Sequence, residues 1–203
     1  MQLAPQLLQG CFVRLEPIEE AHRDALRPVA NDPDIWRFFP ERGDGRHFDA
    51  LFNRRLAAHR DGTWIVHNVR RLVDSALVGQ TCFLNIDTFS ARAEIGGTWY
   101  TPAARGGPVN PECKLLLMQA AFGAGARRVE LKTDARNTRS RAAILKLGAI
   151  EEGTLRRHTL MWDGFVRDTV YYSVLDDEWA SVRGGLERRL KKGPGSALDP
   201  LGP

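Results

Sequence analysis

Cysteine is scarce in this chain. Three occur among 203 residues (Cys11, Cys82 and Cys113), none in a Cys-x-x-Cys pair. An odd, scattered set excludes a complete disulfide framework and reads as the thiols of a reduced compartment. Long apolar runs are missing as well. None approaches 18 residues, so no membrane-spanning helix is expected. The opening Met1-Gln-Leu-Ala-Pro-Gln6 lacks the charge pattern of a secretory leader, and a soluble cytoplasmic protein is the expectation. A large charge excess is also absent. The net charge is +4, and the segment from Arg183 onward supplies +3 of it through Arg183, Arg188, Arg189, Lys191 and Lys192 against Glu187 and Asp199. A nearly neutral body argues against a nucleic-acid protein. Binding through the basic tail would be electrostatic and salt-sensitive.

What the chain has is one core's worth of apolar residues, 43% of the total, so a single domain is the default. We place it at 10–180, with an N-terminal extension at 1–9. The remainder, 181–203, has Gly-Gly, Lys-Lys and Gly-Pro-Gly content and reads as a basic, disordered tail. Cys11–Glu16 alternates as a first strand, ended by Pro17. His22, Ala25, Leu26 and Val29 fall at helical spacing, and residues 47–60 also look helical. Thr63–Arg71 and Leu77–Asp87 read as a hairpin turning near Asp74-Ser75. Ala91–Tyr100 and Arg128–Asp134 are further strands. Asn137–Leu147 is a short helix stopped by Gly148. Residues 150–161 and 165–175 pair across Asp163-Gly164, a hairpin signal. No internal repeat is visible. The order predicts a mixed α/β fold: a largely antiparallel sheet of about seven strands flanked by helices.

The segment Arg105-Gly-Gly-Pro-Val-Asn-Pro-Glu112 carries the most chemistry. A strand runs into a glycine turn, and Asn-Pro-Glu announces a helix from about Pro111, with Asn as a preferred cap and an acid in the first turn. Strand, glycine loop and helix N-terminus together hold a phosphate through free backbone N–H groups, with Arg105 adding a formal charge. No Gly-Lys-Ser/Thr follows, which excludes a nucleoside-triphosphate enzyme of the P-loop kind.

Asn31-Asp-Pro-Asp-Ile-Trp36, Glu94-Ile-Gly-Gly-Thr-Trp-Tyr100, Asp134-Ala-Arg-Asn-Thr-Arg-Ser140 and Gly164-Phe-Val-Arg-Asp-Thr-Val170 occur in the same order in one family. Together with the loop, they make the chain resemble the GNAT superfamily of acyl-CoA-dependent N-acyltransferases. The phrases are most similar to the branch that includes the ribosomal-protein N-terminal acetyltransferases. The resemblance implies transfer of acetyl from acetyl-CoA, as co-substrate and without a metal, to a primary amine that attacks the thioester directly. It places the CoA pyrophosphate on Arg105, Gly106, Gly107, Val109 and Asn110, and pantetheine against the backbone of Thr98 and Tyr100. Asn137 would bind the pantetheine arm or sulfur end, and Ser140 would hydrogen-bond the departing thiolate. Glu94 would accept the amine proton through water, the plainer alternative being a solvated carboxylate or a partner for Arg92. Gly96-Gly97 would supply a bulge that opens the groove. Members of the branch pair through their C-terminal strands, which implies a homodimer.

Two positions depart from the family pattern. Pro108 stands at its central glycine and has no N–H. A missing charge-assisted bond of roughly 1.5–3 kcal/mol would weaken CoA about 10- to 100-fold. Either Gly107 shifts into the gap, or the helix starts one turn early with Pro108 as its first residue. Ile144 stands where many relatives carry a tyrosine acid, which leaves Ser140, a water, Tyr171 or Tyr172. These departures sustain a rival reading, a non-catalytic GNAT-fold module that binds CoA or a protein partner. His158 and Asp168 should face each other across the last hairpin, either lining the acceptor site or as a surface pair. His22 reads as a packed histidine on an apolar stripe. Trp36, Phe38 and Phe39 read as core or as a lid over the acceptor pocket.

Overall fold

The computed structural model describes residues 1–192. In chain order the elements are β1 (Leu8–Gln9), β2 (Val13–Pro17), α1 (Arg23–Val29), α2 (Phe48–Arg60), β3 (Ile65–Arg71), β4 (Leu77–Asp87), β5 (Arg92–Tyr100), α3 (Val109–Gly123), β6 (Arg128–Asp134), α4 (Thr138–Leu145), β7 (Ile150–Leu160), β8 (Val166–Leu175) and α5 (Trp179–Lys192). The strands form one sheet in the order β1-β2-β3-β4-β5-β6-β8-β7. All pairs are antiparallel except β5–β6, which the α3 crossover makes parallel. The sheet has eight strands rather than seven. The addition is β1, whose Leu8 pairs with Leu15.

Consecutive strand residues such as Ile65/Val66, Cys82/Phe83 and Trp99/Tyr100 fall in different apolar clusters, so the two clusters lie on opposite faces. One packs Cys113, Leu117, Met118 and Ala121 of α3 against Phe83, Ile95, Val129 and Leu131. The other packs Phe48, Phe52 and Leu56 of α2 against Trp36, Val66, Cys82 and Trp99. Helices thus cover both faces of the central strands, while the sheet itself opens between two of them.

Both ends of the described chain carry regular structure. Residues 1–9, read as an N-terminal extension, contribute β1 to the sheet. The buried Glu112 carboxylate accepts the backbone N–H groups of Cys11, Phe12 and Val13 at 2.8, 2.6 and 2.7 Å, which hangs the segment after β1 on α3. Gly10 leaves room for this contact, since a Cβ would lie 2.4 Å from the Glu112 carboxyl carbon and push the carboxylate aside. The expected disorder from residue 181 is corrected over 181–192, which belong to α5. Val182 and Leu186 are buried, and Trp179 stacks on Phe122 at 5.1 Å between centroids. That i, i+3, i+7 stripe was hidden by Gly184-Gly185. Residues 193–203, the rest of the predicted tail, lie outside the described residues.

Candidate active site

The opening lies where β5 and β6 part. They pair only through Arg92↔Arg128, Ala93↔Val129 and Glu94↔Glu130. Beyond that, β5 runs on to Tyr100 and β6 to Asp134 with no strand pairing between them among the described residues. Opposite β4, Gln80 pairs with Trp99 and Cys82 with Gly96, so Gly97 and Thr98 together oppose Thr81. This is the bulge expected at Gly96-Gly97, and Gly97 takes the φ of +57° that favours glycine. The bulge also puts Ile95 and Trp99 on opposite faces, although they are four residues apart. The result is a groove of about 500 Å³. Glu94, Thr98, Tyr100, Arg105, Gly106, Asn110, Asn137 and Ser140 all line it.

At one end stand two helix N-termini. Pro108 is the N-cap of α3, so the helix starts at Val109, ahead of the expected Pro111. The first intrahelical bond is Glu112 N–H to the Pro108 carbonyl at 3.0 Å. Helix geometry thus leaves the N–H groups of Val109 and Asn110 open, while Pro111 has none. Gly106 takes φ +78°, and a Cβ at Gly106 or Gly107 would meet nothing, so the turn is open to a ligand. Two of the predicted residues sit differently. Gly107 and Val109 are not among the lining side chains, and Val109 is buried in the core. Arg105 Nε donates to the Tyr100 carbonyl at 3.0 Å. The resemblance had left that carbonyl for pantetheine. Asn137 caps α4, its Oδ1 accepting the Ser140 N–H at 3.0 Å.

Glu94 sits deep in the groove. It is 1% exposed, which removes the solvated-carboxylate reading. Its Oε2 accepts Asn85 Nδ2 at 2.8 Å and lies 2.9 Å from Lys132 Nζ. Oε1 takes neither bond and lies beside Gly96, where a Cβ would come within 2.7 Å of it. Arg92 turns away, to Asp87 and Glu130. A buried carboxylate held by one oxygen, with the other unbonded among the described residues, has an oxygen that can accept a proton.

The groove also holds cations that the sequence reading missed. Lys114 is 5% exposed. Its Nζ donates to Thr98 Oγ1 at 2.7 Å and reaches Thr81 Oγ1 at 3.5 Å. Burial pushes its pKa down to about 8, so it exchanges a proton close to neutral pH. Arg55 is buried on α2 and donates to Gln80 Oε1 at 3.0 Å and to the Gly97 carbonyl at 3.2 Å, bracing the bulge. A signal existed for both. Lys114 shares a helical stripe with Leu117 and Met118, and Arg55 shares one with Leu51 and Phe52.

The match to known proteins is now decisive: residues 13–150 fit the acetyltransferase (GNAT) domain family. The chain belongs to that family. It is 34% identical over 109 residues to a Bacillus subtilis protein named "Putative ribosomal N-acetyltransferase YdaF", a stretch covering 53% of this chain and 58% of that one. A GCN5-related N-acetyltransferase from Brucella melitensis superposes with a TM-score of 0.85 at 26% identity, over 91% of this chain and 85% of that one. Mycobacterium smegmatis RimJ, solved with CoA-disulfide, shares the fold with a TM-score of 0.76 at 22% identity, over 91% of this chain and 96% of that one.

Within this GNAT chain, the lid reading divides. Phe38 and Phe39 line the groove, while Trp36 is buried, its Nε1 donating to the Ala30 carbonyl at 3.0 Å. Trp162 Nε1 donates to the Trp36 carbonyl at 3.2 Å, which ties the last hairpin to the Trp36–Phe39 segment. Ile144 is a groove residue, so α4 presents no phenol there. Tyr171 and Tyr172 lie outside the lining, and the Tyr172 hydroxyl accepts Arg141 Nε at 3.2 Å. His158 and Asp168 border one shallow surface depression on the last hairpin, outside the groove, and do not bond each other. The β7–β8 register shifts between Leu155 and Thr159. Asp168 accepts the Arg157 N–H at 2.7 Å, while His158 Nδ1 meets Thr169 Oγ1 at 3.2 Å. His22 is not on an apolar stripe either. Its Nε2 is 3.5 Å from Glu16 Oε2.

Proposed function

We propose that this GNAT acetyltransferase moves acetyl from acetyl-CoA to a primary amine by direct attack on the thioester. The observation that carries the reading is convergence. The buried, half-free Glu94 carboxylate and the open N–H groups at the α3 terminus face one groove through a gap in the sheet. Val109 and Asn110 amides, the Gly106-Gly107 turn and Arg105 hold the pyrophosphate. The strand edge at Thr98 takes pantetheine beside Asn137. Glu94 Oε1 receives the amine proton through water, and Lys132 with Asn85 fixes the other oxygen so that the base stays aimed. Ser140 hydrogen-bonds the sulfur as the C–S bond breaks and the thiolate leaves. Holding both reactants in a near-attack geometry supplies most of the acceleration, since no covalent enzyme intermediate is needed. The edge strand β7, with Ile150, Leu155 and Leu160 exposed, supports pairing of two copies.

The test is calorimetric titration with acetyl-CoA beside desulfo-CoA, followed by thiol release across an amine panel. Micromolar binding with amine-dependent thiol release is the expected result. Binding without release from any amine would favour a non-catalytic CoA module, a reading supported by the missing phenol at Ile144. No binding at millimolar acetyl-CoA would refute both.

A further inference from the structure

The acceptor half of the groove contains a guanidinium with no acid of its own. Arg167 on β8 is 6% exposed and lines the groove. Its Nη1 donates to the Phe38 carbonyl at 2.9 Å and its Nε to Thr169 Oγ1 at 3.2 Å, both neutral acceptors. Nη2, the other arm of the fork, has no hydrogen-bond partner among the described residues. The acids close enough to act on it electrostatically are Asp134 and Glu94, and both are taken. Asp134 is bridged to Arg136 at 2.7 Å and Glu94 to Lys132 at 2.9 Å.

An arginine stays charged at any pH a protein survives. A buried charge without a counter-ion is costly, and a planar fork suits a carboxylate. Burial is the largest influence on Arg167 and pushes its pKa down. A ligand anion would relieve that cost. Glu94 and Arg167 feel each other across the pocket, so an amine on the first and a carboxylate on the second belong on one small molecule. A peptide N-terminus would put a neutral amide against the guanidinium, and a polyamine would put a second cation there. Phe38, Phe39 and Trp64 wall the same space with apolar surface.

We propose that Arg167 recognises an anion in the acceptor pocket, and that the acceptor is a free amino acid with an apolar side chain. Its carboxylate rests on Arg167 and its amine on Glu94. This rests on the amine-acetylation reading above.

The experiment measures thiol release from acetyl-CoA with matched acceptors: L-phenylalanine, L-leucine and L-methionine, the amide of each, and a short peptide beginning with each. Acetyl-CoA binding is measured in parallel for every protein. The free acids should exceed their amides at least tenfold in kcat/KM, mainly through KM. Arg167→Gln should bring the acid-to-amide ratio near one, and Arg167→Lys should give an intermediate ratio. A tether that merely holds Phe38 would lower acids and amides alike, so an unchanged ratio in Arg167→Gln overturns the anion role. Amides or peptides preferred by the unaltered protein, or no free acid accepted while acetyl-CoA binds, also overturn it and leave amine acetylation standing. Failure to bind acetyl-CoA removes both.

Discussion

Replacing Lys114 with methionine should make this protein more stable at neutral pH, and the gain should vanish in alkali. Lys114 is enclosed, and its Nζ meets hydroxyls rather than a carboxylate. Burial takes its pKa from 10.5 to about 8, a displacement equivalent to about 3 kcal/mol. The folded chain therefore gives up the proton near pH 8, while the unfolded chain keeps it to about 10.5. Between those values the unfolded state binds more protons, so the Lys114 contribution rises with pH. Below pH 8 the full cost is present. Methionine fills a similar volume without charge, and Thr81 and Thr98 still bond each other at 2.8 Å, so no hydroxyl is orphaned. Urea unfolding followed by tryptophan fluorescence should show Lys114→Met ahead by about 3 kcal/mol at pH 7, closing by pH 10.5. Tyr100 and Cys113, whose burial raises their pKa values, titrate in both proteins and largely cancel. A gap that does not change with pH, or a variant less stable at pH 7, would refute the reasoning.

Three further outcomes are expected. Glu94→Gln should lower kcat about 100-fold or more while leaving acetyl-CoA affinity within about threefold; an unaltered rate at neutral pH sinks the base assignment. Glu112→Gln should cost about 2–4 kcal/mol, because an amide offers one acceptor oxygen to three backbone N–H groups. Its denaturation midpoint matching that of the parent would show that the N-terminal latch is idle. Leu186→Ala should cost about 2–5 kcal/mol in the same assay if α5 belongs to the core; no loss would restore the view of this segment as a dispensable tail.

Much of the fold was legible because its strands announce themselves. Leu77–Asp87 and Arg128–Asp134 appear with the bounds read from the sequence, since alternation and flanking turns agree there. β1 was not legible, because two residues carry no period and exist as a strand only through Leu15 and Arg14. α5 was misread because glycines outweighed a sparse apolar stripe. Within the groove, the sequence named the residues on the strand–loop–helix path, where motif and chain order coincide. It missed Lys132, Arg167 and Asn85, which reach Glu94 or its pocket only through strand register and tertiary packing. Arg55 and Lys114 were missed for another reason: hydropathy counts a basic residue as surface, even on a helical stripe that faces the core. His158 and Asp168 lie at one depression as the hairpin predicts, but the irregularity at Arg157, with its φ of +49°, gives Asp168 the Arg157 N–H and His158 the Thr169 hydroxyl instead of each other.

The two rims of the sheet are unequal, which would constrain any association of copies through it. One rim is closed by β1, only two residues long. The other is β7, eleven residues long and exposed almost throughout. Only the second offers enough unpaired backbone to template another strand. If two β7 strands met antiparallel, the shared sheet would end on both sides at a β1 too short to recruit a third copy. Association through the sheet would then close on a twofold axis and stop at two, with no route to an open filament.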